Sequence, residues 1–158
     1  MRRIIPVLML FVLVSACSSI DCPIENKVYC KYKLAGKVTQ LSDTLSVDGL
    51  RPDEPNVVLL NREEDASEFS LPVSHVHAED VLVLTLVNSA SKASYDTIWL
   101  KKTNIPHFES VDCAPRYFHR IEKVTCTRHT LDSIIIKNSE ITYDTTGGNI
   151  LLYFKSGH

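Results

Sequence analysis

The residues with the most definite chemistry are Leu13-Val14-Ser15-Ala16-Cys17. They close a segment that opens with Arg2-Arg3 and runs apolar from Ile4 to Val14. A positive start, a short apolar stretch and small residues before a cut are the parts of an export signal. A cysteine directly after the cut adds a second chemistry. Its thiol would take a diacylglycerol, residues 1–16 would be removed, and the new amine of Cys17 would be acylated. The apolar run is too short for a spanning helix, which needs about 20 such residues. Two or three acyl chains meet the two-signal requirement for stable anchoring. The expectation is an exported chain held to a membrane by lipid.

The pattern looks like the lipobox of a bacterial lipoprotein. Ser18 stands where an Asp commonly retains lipoproteins in the inner membrane, so the outer membrane is expected. Its periplasmic face and the cell surface both remain open. Ser18-Ser19-Ile20-Asp21 only partly resembles the surface-export signal of Bacteroidota lipoproteins, because it offers a single acid.

Taking residues 1–16 from the 158-residue chain leaves 142, enough for one domain with a real core. The cut removes two of the 17 Lys and Arg and none of the 19 Asp and Glu, so the mature charge is −4. With no block of basic residues left, nucleic acid is not an expected partner. Besides Cys17 there are Cys22, Cys30, Cys113 and Cys126, an even number that suggests two disulfides in an oxidising compartment. Three connectivities are possible. Ser19-Ile20-Asp21-Cys22-Pro23 echoes Ser110-Val111-Asp112-Cys113-Ala114-Pro115, which favours Cys22–Cys113 and Cys30–Cys126. With Cys22 tied down, residues 17–21 form a tether whose five links to Cys22 reach roughly 17 Å. The domain would then sit close against the bilayer.

Other chemistry-bearing groups are more dispersed. His75-Val76-His77 would place two imidazoles on one face of an extended stretch, a zinc-like arrangement if Asp80, His107, His119 or His129 supplied a third ligand. No H-E-x-x-H spacing supports it, and a polar loop or edge is the plainer reading. Glu63, Glu64, Asp65 and Glu68, with Asp48, Asp53 and Glu54 elsewhere, lack the spacing of a calcium loop and read as solvated turns. No G-x-S-x-G elbow occurs, and no catalytic residues are assigned. Trp99, Tyr95, Tyr117, Phe118, Phe108 and Tyr153 could include a platform for a sugar or a peptide, although Trp99 between Ile98 and Leu100 reads better as a core or partner-facing strand residue. Residues 104–115 are the oddest segment, with prolines near both ends and His107-Phe108-Glu109 inside. They read as a rigid non-strand connection: an ordered crossover between sheets, or a binding loop with His107, Phe108 and Glu109 as its contacts.

The elements that must position these groups read as strands throughout. Alternating or apolar runs occur at 28–34, 44–47, 57–60, 68–71, 81–87, 95–101, 117–128, 132–137 and 150–154. The nearly unbroken run Val81–Val87 predicts a central strand buried on both faces. Asp48-Gly49, Asn88–Ser91, Asn104–Pro106 and Gly147-Gly148 supply turn signals, the last as a two-residue hairpin folding 141–143 onto 151–153. No helical-period stretch longer than about ten residues follows the signal.

The chain also resembles an uncharacterised family of small envelope lipoproteins from Bacteroidales, known only as a domain of unknown function. The resembling pieces are Ser19-Ile20-Asp21-Cys22-Pro23, Tyr32-Lys33-Leu34, Asp43-Thr44-Leu45, Leu60-Asn61-Arg62, Phe69-Ser70-Leu71-Pro72, Pro106 to Cys113, Asp132-Ser133-Ile134 and Tyr143-Asp144. The Cys22 and Cys113 corners are typical of that family. The resemblance implies a Gram-negative envelope lipoprotein and brings no activity, ligand or catalytic residue.

The expected layout is a signal at 1–16, lipidated Cys17 and tether at 17–21, and one domain at 22–158. That domain is expected to be all-β, a single antiparallel β-sandwich of immunoglobulin-like type bearing disulfides. The expected role is a non-enzymatic protein-interaction module at the outer membrane, without cofactor, with an envelope protein as partner. The alternative is a surface lipoprotein that binds glycan or metal.

Overall fold

Strands form where apolar side chains alternate, because a two-residue period puts one set of side chains on one face. The structure, a computed structural model, describes residues 27–52, 54–144 and 146–156. The strands are β1 (Tyr29–Ala35), β2 (Thr44–Leu50), β3 (Val57–Glu63), β4 (Glu68–Pro72), β5 (Glu79–Val87), β6 (Ala93–His107), β7 (Arg116–Cys126), β8 (Leu131–Ile136), β9 (Glu140–Ile141) and β10 (Ile150–Phe154). Among the described residues there is no helix. The signal, Cys17, the tether and Cys22 lie outside the described residues.

The strands make two sheets, a four-stranded one in the order β4-β1-β10-β8 and a six-stranded one in the order β3-β2-β5-β6-β7-β9. One core lies between them. Cys30, Tyr32, Leu34, Leu71, Ile150 and Leu152 face it from the smaller sheet; Leu45, Val47, Leu84, Leu86, Ile98, Leu100, Ile121 and Ile141 face it from the larger. The arrangement is sandwich-like. Every pairing is antiparallel except β1 with β10, which is parallel, so the smaller sheet is mixed where antiparallel pairing was expected.

Four other local expectations are corrected. Asp48-Gly49 is not a turn: it continues β2, with Gly49 opposite Val57 and Leu82. A Cβ there would meet Leu59 Cδ1 at 3.1 Å, so this glycine admits a neighbouring side chain. Gly147-Gly148 closes no hairpin onto 151–153. Gly148 alone has positive φ, at 68°, and β9 pairs with β7 while β10 pairs with β8 and β1. Residues 104–107 belong to β6 and pair with 116–119, which leaves only 108–115 as a connection. Finally, β5 is buried on one face: Leu82, Leu84 and Leu86 are interior, while Val81, Val83 and Val87 are half-covered.

No disulfide joins two described residues, and the Cys30–Cys126 pairing is overturned: both are free thiols. Their positions explain it. Cys30 lies near Asp80, which is bound to Lys102; Cys126 lies near Asp96. Lys102 and Asp96 are six residues apart on β6, about 20 Å of strand, and a disulfide needs its Cα atoms within about 7 Å. Burial pushes the Cys30 thiol up to about 12, against a smaller opposing effect of its hydrogen bond with Tyr32. Cys113 is disulfide-bonded, to no described residue.

The smaller sheet is joined to the larger through Asp96, 2% exposed on the inner face of β6. Its Oδ1 accepts from Thr127 Oγ1 at 2.6 Å and His129 N at 2.8 Å; its Oδ2 accepts from Thr130 N at 2.7 Å, Thr130 Oγ1, and Leu131 N at 2.9 Å. Burial works to raise its carboxyl, but these donors outweigh burial and hold it below the usual carboxylate range. A second clasp is Asn149, whose Oδ1 accepts from Lys31 N at 3.0 Å and whose Nδ2 donates to Glu140 O at 2.8 Å.

Replacing Asp96 by Ala strands several buried N–H groups and is expected to cost roughly 3–5 kcal/mol in urea unfolding. Because the folded carboxyl is depressed, the wild-type contribution is full above the unfolded pKa and is lost as pH falls through the folded value; Asp96→Ala should flatten that acid limb. Under native, non-reducing conditions Cys126 should alkylate slowly and Cys30 only on unfolding, read by mass spectrometry.

Candidate interaction surface

Strands β6 and β7 run past the rest of their sheet. β5 begins opposite Lys101, so 102–107 and 116–121 form a two-stranded ribbon, bordered among the described strands by β9 at His119 and Arg120, with Lys102 N donating to Ala78 O at its base. The pairing shifts register between Lys101 and Lys102, where the ribbon leaves the sheet. Such a bulge bends the strand and re-aims its side chains.

One face of the ribbon is sealed by residues 74–77. Lys102, its side chain fully buried, donates from Nζ to His77 O at 2.7 Å and to Asp80 Oδ1 at 3.1 Å. Ser74 N donates to Asp80 Oδ2 at 3.2 Å, and Asn104 Nδ2 donates to His75 O at 2.8 Å. His119, 1% exposed, meets Asn104 Oδ1 through Nδ1 at 2.8 Å. Since Asn104 presents its carbonyl oxygen, that nitrogen carries the proton. Burial raises the Asp80 carboxyl more than Lys102 lowers it. Burial, then the charges of Lys102 and His75, lower His119 to about 4.

The opposite face carries an open aromatic stack. His107 stacks on Phe118 with ring centroids 4.3 Å apart, and Phe118 meets Tyr143 edge-on at 5.0 Å. Arg116 lies over the Tyr143 ring at 5.2 Å, and its Nε is 3.6 Å from Glu109 Oε1. Tyr143 OH donates to the same Glu109 oxygen; desolvation and that bond raise the phenol above its ordinary range. Arg116 Nη2 is buried with no hydrogen-bond partner among the described residues. Beyond this base the connection exposes Phe108 (65%) and Val111 (99%).

The sequence candidates therefore separate. His107 and Glu109 are parts of the stacked base, and Phe108 projects from it. The stretch around His75 and His77 is bent, not extended as the zinc reading supposed. His75 stacks on Tyr117 at 5.1 Å, and both residues serve through their carbonyls. Of the suggested third ligands, Asp80 and His119 are held in the seal, His107 is on the other face, and His129 lies by Asp96. Among the described residues no three His, Cys, Asp or Glu are grouped to hold a metal ion. Trp99 is half-buried on the outer face of the larger sheet, on the same face of β6 as more exposed Tyr95, with Thr97 between them. Sequence reasoning missed Lys102, Arg116 and Tyr143, and it did not connect Asn104 with His119 or Phe118 with His107. The adjacent Lys101-Lys102 in an apolar strand was the one available signal, since a period of two puts one of them inside.

Residues 44–154 match the model of a family of unknown function, DUF6452. The chain belongs to this family. The matched span takes in the core strands β2 to β10, the seal and the aromatic base. Comparison with curated proteins and with solved structures found no match.

His119 is expected to make stability pH-dependent. Its folded pKa is depressed, so its contribution is full above the unfolded value near 6.5 and is lost as pH falls toward about 4. Urea midpoints measured across that window should fall for the wild type and fall less for His119→Gln.

Proposed function

We propose that this DUF6452 protein is a lipid-anchored envelope protein of the outer membrane and acts there as a non-enzymatic protein-interaction module. The anchoring reading rests on the Leu13–Cys17 pattern and on the short tether, with Cys22 as the partner of disulfide-bonded Cys113. We take the domain as an immunoglobulin-like sandwich. Groups whose titration is displaced, among them Cys30, Tyr32, Asp80, Asp96 and His119, are engaged in internal hydrogen bonds or apolar packing, a use of polar chemistry that suits a scaffold.

The observation that carries the interaction reading is the outer edge of β8. Sheet edges invite pairing with another chain unless shortened, bulged or charged. β3 is broken by two register shifts and ends in Arg62 and Glu63; β4 has five residues and ends at Pro72. β8 terminates the smaller sheet with Ile134-Ile135-Ile136, carries the single charge Asp132, and exposes Ile135 at 47%. A partner strand added there would gain backbone hydrogen bonds and an apolar side-chain contact.

A photo-crosslinking residue at Ser133, used in intact cells, should capture a protein partner. Ile135→Lys should abolish that capture while changing stability by no more than about 0.5 kcal/mol. Undiminished capture would overturn the edge contact.

A further inference from the structure

We propose that the tip of the β6–β7 ribbon docks on the lipid bilayer, with Phe108 and Val111 entering the interface. The inference rests on the reading that Cys17 is acylated. Cys30 and Cys126 are free thiols, so within the chain the disulfide of Cys113 can reach only Cys17 or Cys22. Acylation of Cys17 occupies its sulfur and leaves Cys22. The lipid-bearing residue is then five links from a half-cystine bonded within the 108–115 connection, no more than roughly 17 Å away. Val111, 99% exposed, is two residues from that bond, and Phe108, 65% exposed, is five. The lipid itself brings these side chains to the membrane.

The chemistry around them suits an interface. Tyr143 behind the tip, 49% exposed, has the amphipathic ring that settles at headgroup level. Glu109 is bound by Tyr143 OH and lies 3.6 Å from Arg116, so its charge is compensated. Asp112, beside Val111, confines the entry to shallow depth. The far end of β6 stays clear of lipid, since Tyr95 is twelve residues from His107, about 40 Å of strand.

The test uses the full acylated protein reconstituted in phosphatidylethanolamine–phosphatidylglycerol vesicles with brominated acyl chains. In a Trp99→Phe background, Phe108→Trp should show blue-shifted emission and loss of fluorescence to the brominated lipid. Tyr95→Trp (57% exposed) should show neither. Thermal melts establish that both variants fold. Intact mass reports Cys17 separately. An unacylated Cys17 removes the anchoring reading and this inference with it. If the acylated Phe108→Trp variant is unquenched, the anchor stands and bilayer docking is overturned; crosslinks from position 108 to a protein would then assign the tip to that protein.

Discussion

The carboxylate of Asp96 is the contact on which the rest of the architecture depends. It stands on a central strand of the six-stranded sheet, just past the end of the β6–β7 ladder, and all five of its donors come from residues 127–131, where the chain leaves β7 for β8. That turn is the crossing from one sheet to the other. Backbone N–H groups at a buried crossing have no ladder to join and must find acceptors elsewhere. One ionised carboxylate serves three of them and two hydroxyls, at the cost of its own desolvation. Because β8 pairs β10 and β10 pairs β1, the position of the smaller sheet follows from this junction.

At its other end the inner face of β6 closes on a second charge. Asp96, Ile98, Leu100 and Lys102 share one stripe, with the apolar pair between an acid and a base. The charges are too far apart to serve each other, so each has its own partners. Asp96 organises the crossing, whereas Lys102 draws a carbonyl from the chain leading to β5 and a carboxylate from the start of that strand. A buried ion pair of this kind adds little to stability beyond an apolar substitute, yet its loss is costly. Its consequence here is positional. It seals one face of the ribbon and leaves the stacked rings on the other.

Legibility in the sequence followed burial. β1, β4 and β10 were readable within a residue or two because their inward side chains are apolar and alternate. The class, all-β in two sheets, followed from such strands. What escaped was decided by pairing between distant segments. The 104–107 stretch looked irregular because of Pro106, but the ladder to 116–119 carries it as strand. Gly147-Gly148 has the composition of a hairpin, yet Asn149 binds the backbone of Lys31 and directs β10 into the other sheet. The two free thiols lie toward opposite ends of the core, which cysteine spacing cannot express. Of the candidate surface, His107, Phe108 and Glu109 were found as a segment, and Phe118 only as one of several scattered aromatics. Arg116 and Tyr143 were not found, since these groups meet only once β7 and the 142–144 segment are in place.

The rigidity of the ribbon tip follows from the kind of side chain used to build it. His107, Phe118 and Tyr143 each turn about two side-chain bonds, and their ring faces and edges are already engaged with one another. Ordering them on contact therefore costs little entropy, in contrast to long aliphatic or charged side chains. Arg116 would be the expensive member, but the Tyr143 ring and Glu109 hold its guanidinium in advance. His107 and Glu109, on either side of Phe108, are thus held before anything covers Phe108. Under the docking proposal, the apolar area buried there would contribute about 25 cal/mol per Å². An exposed valine on a mobile loop would forfeit much of that gain. The held flanks of Phe108 at the end of a two-stranded ribbon limit that loss.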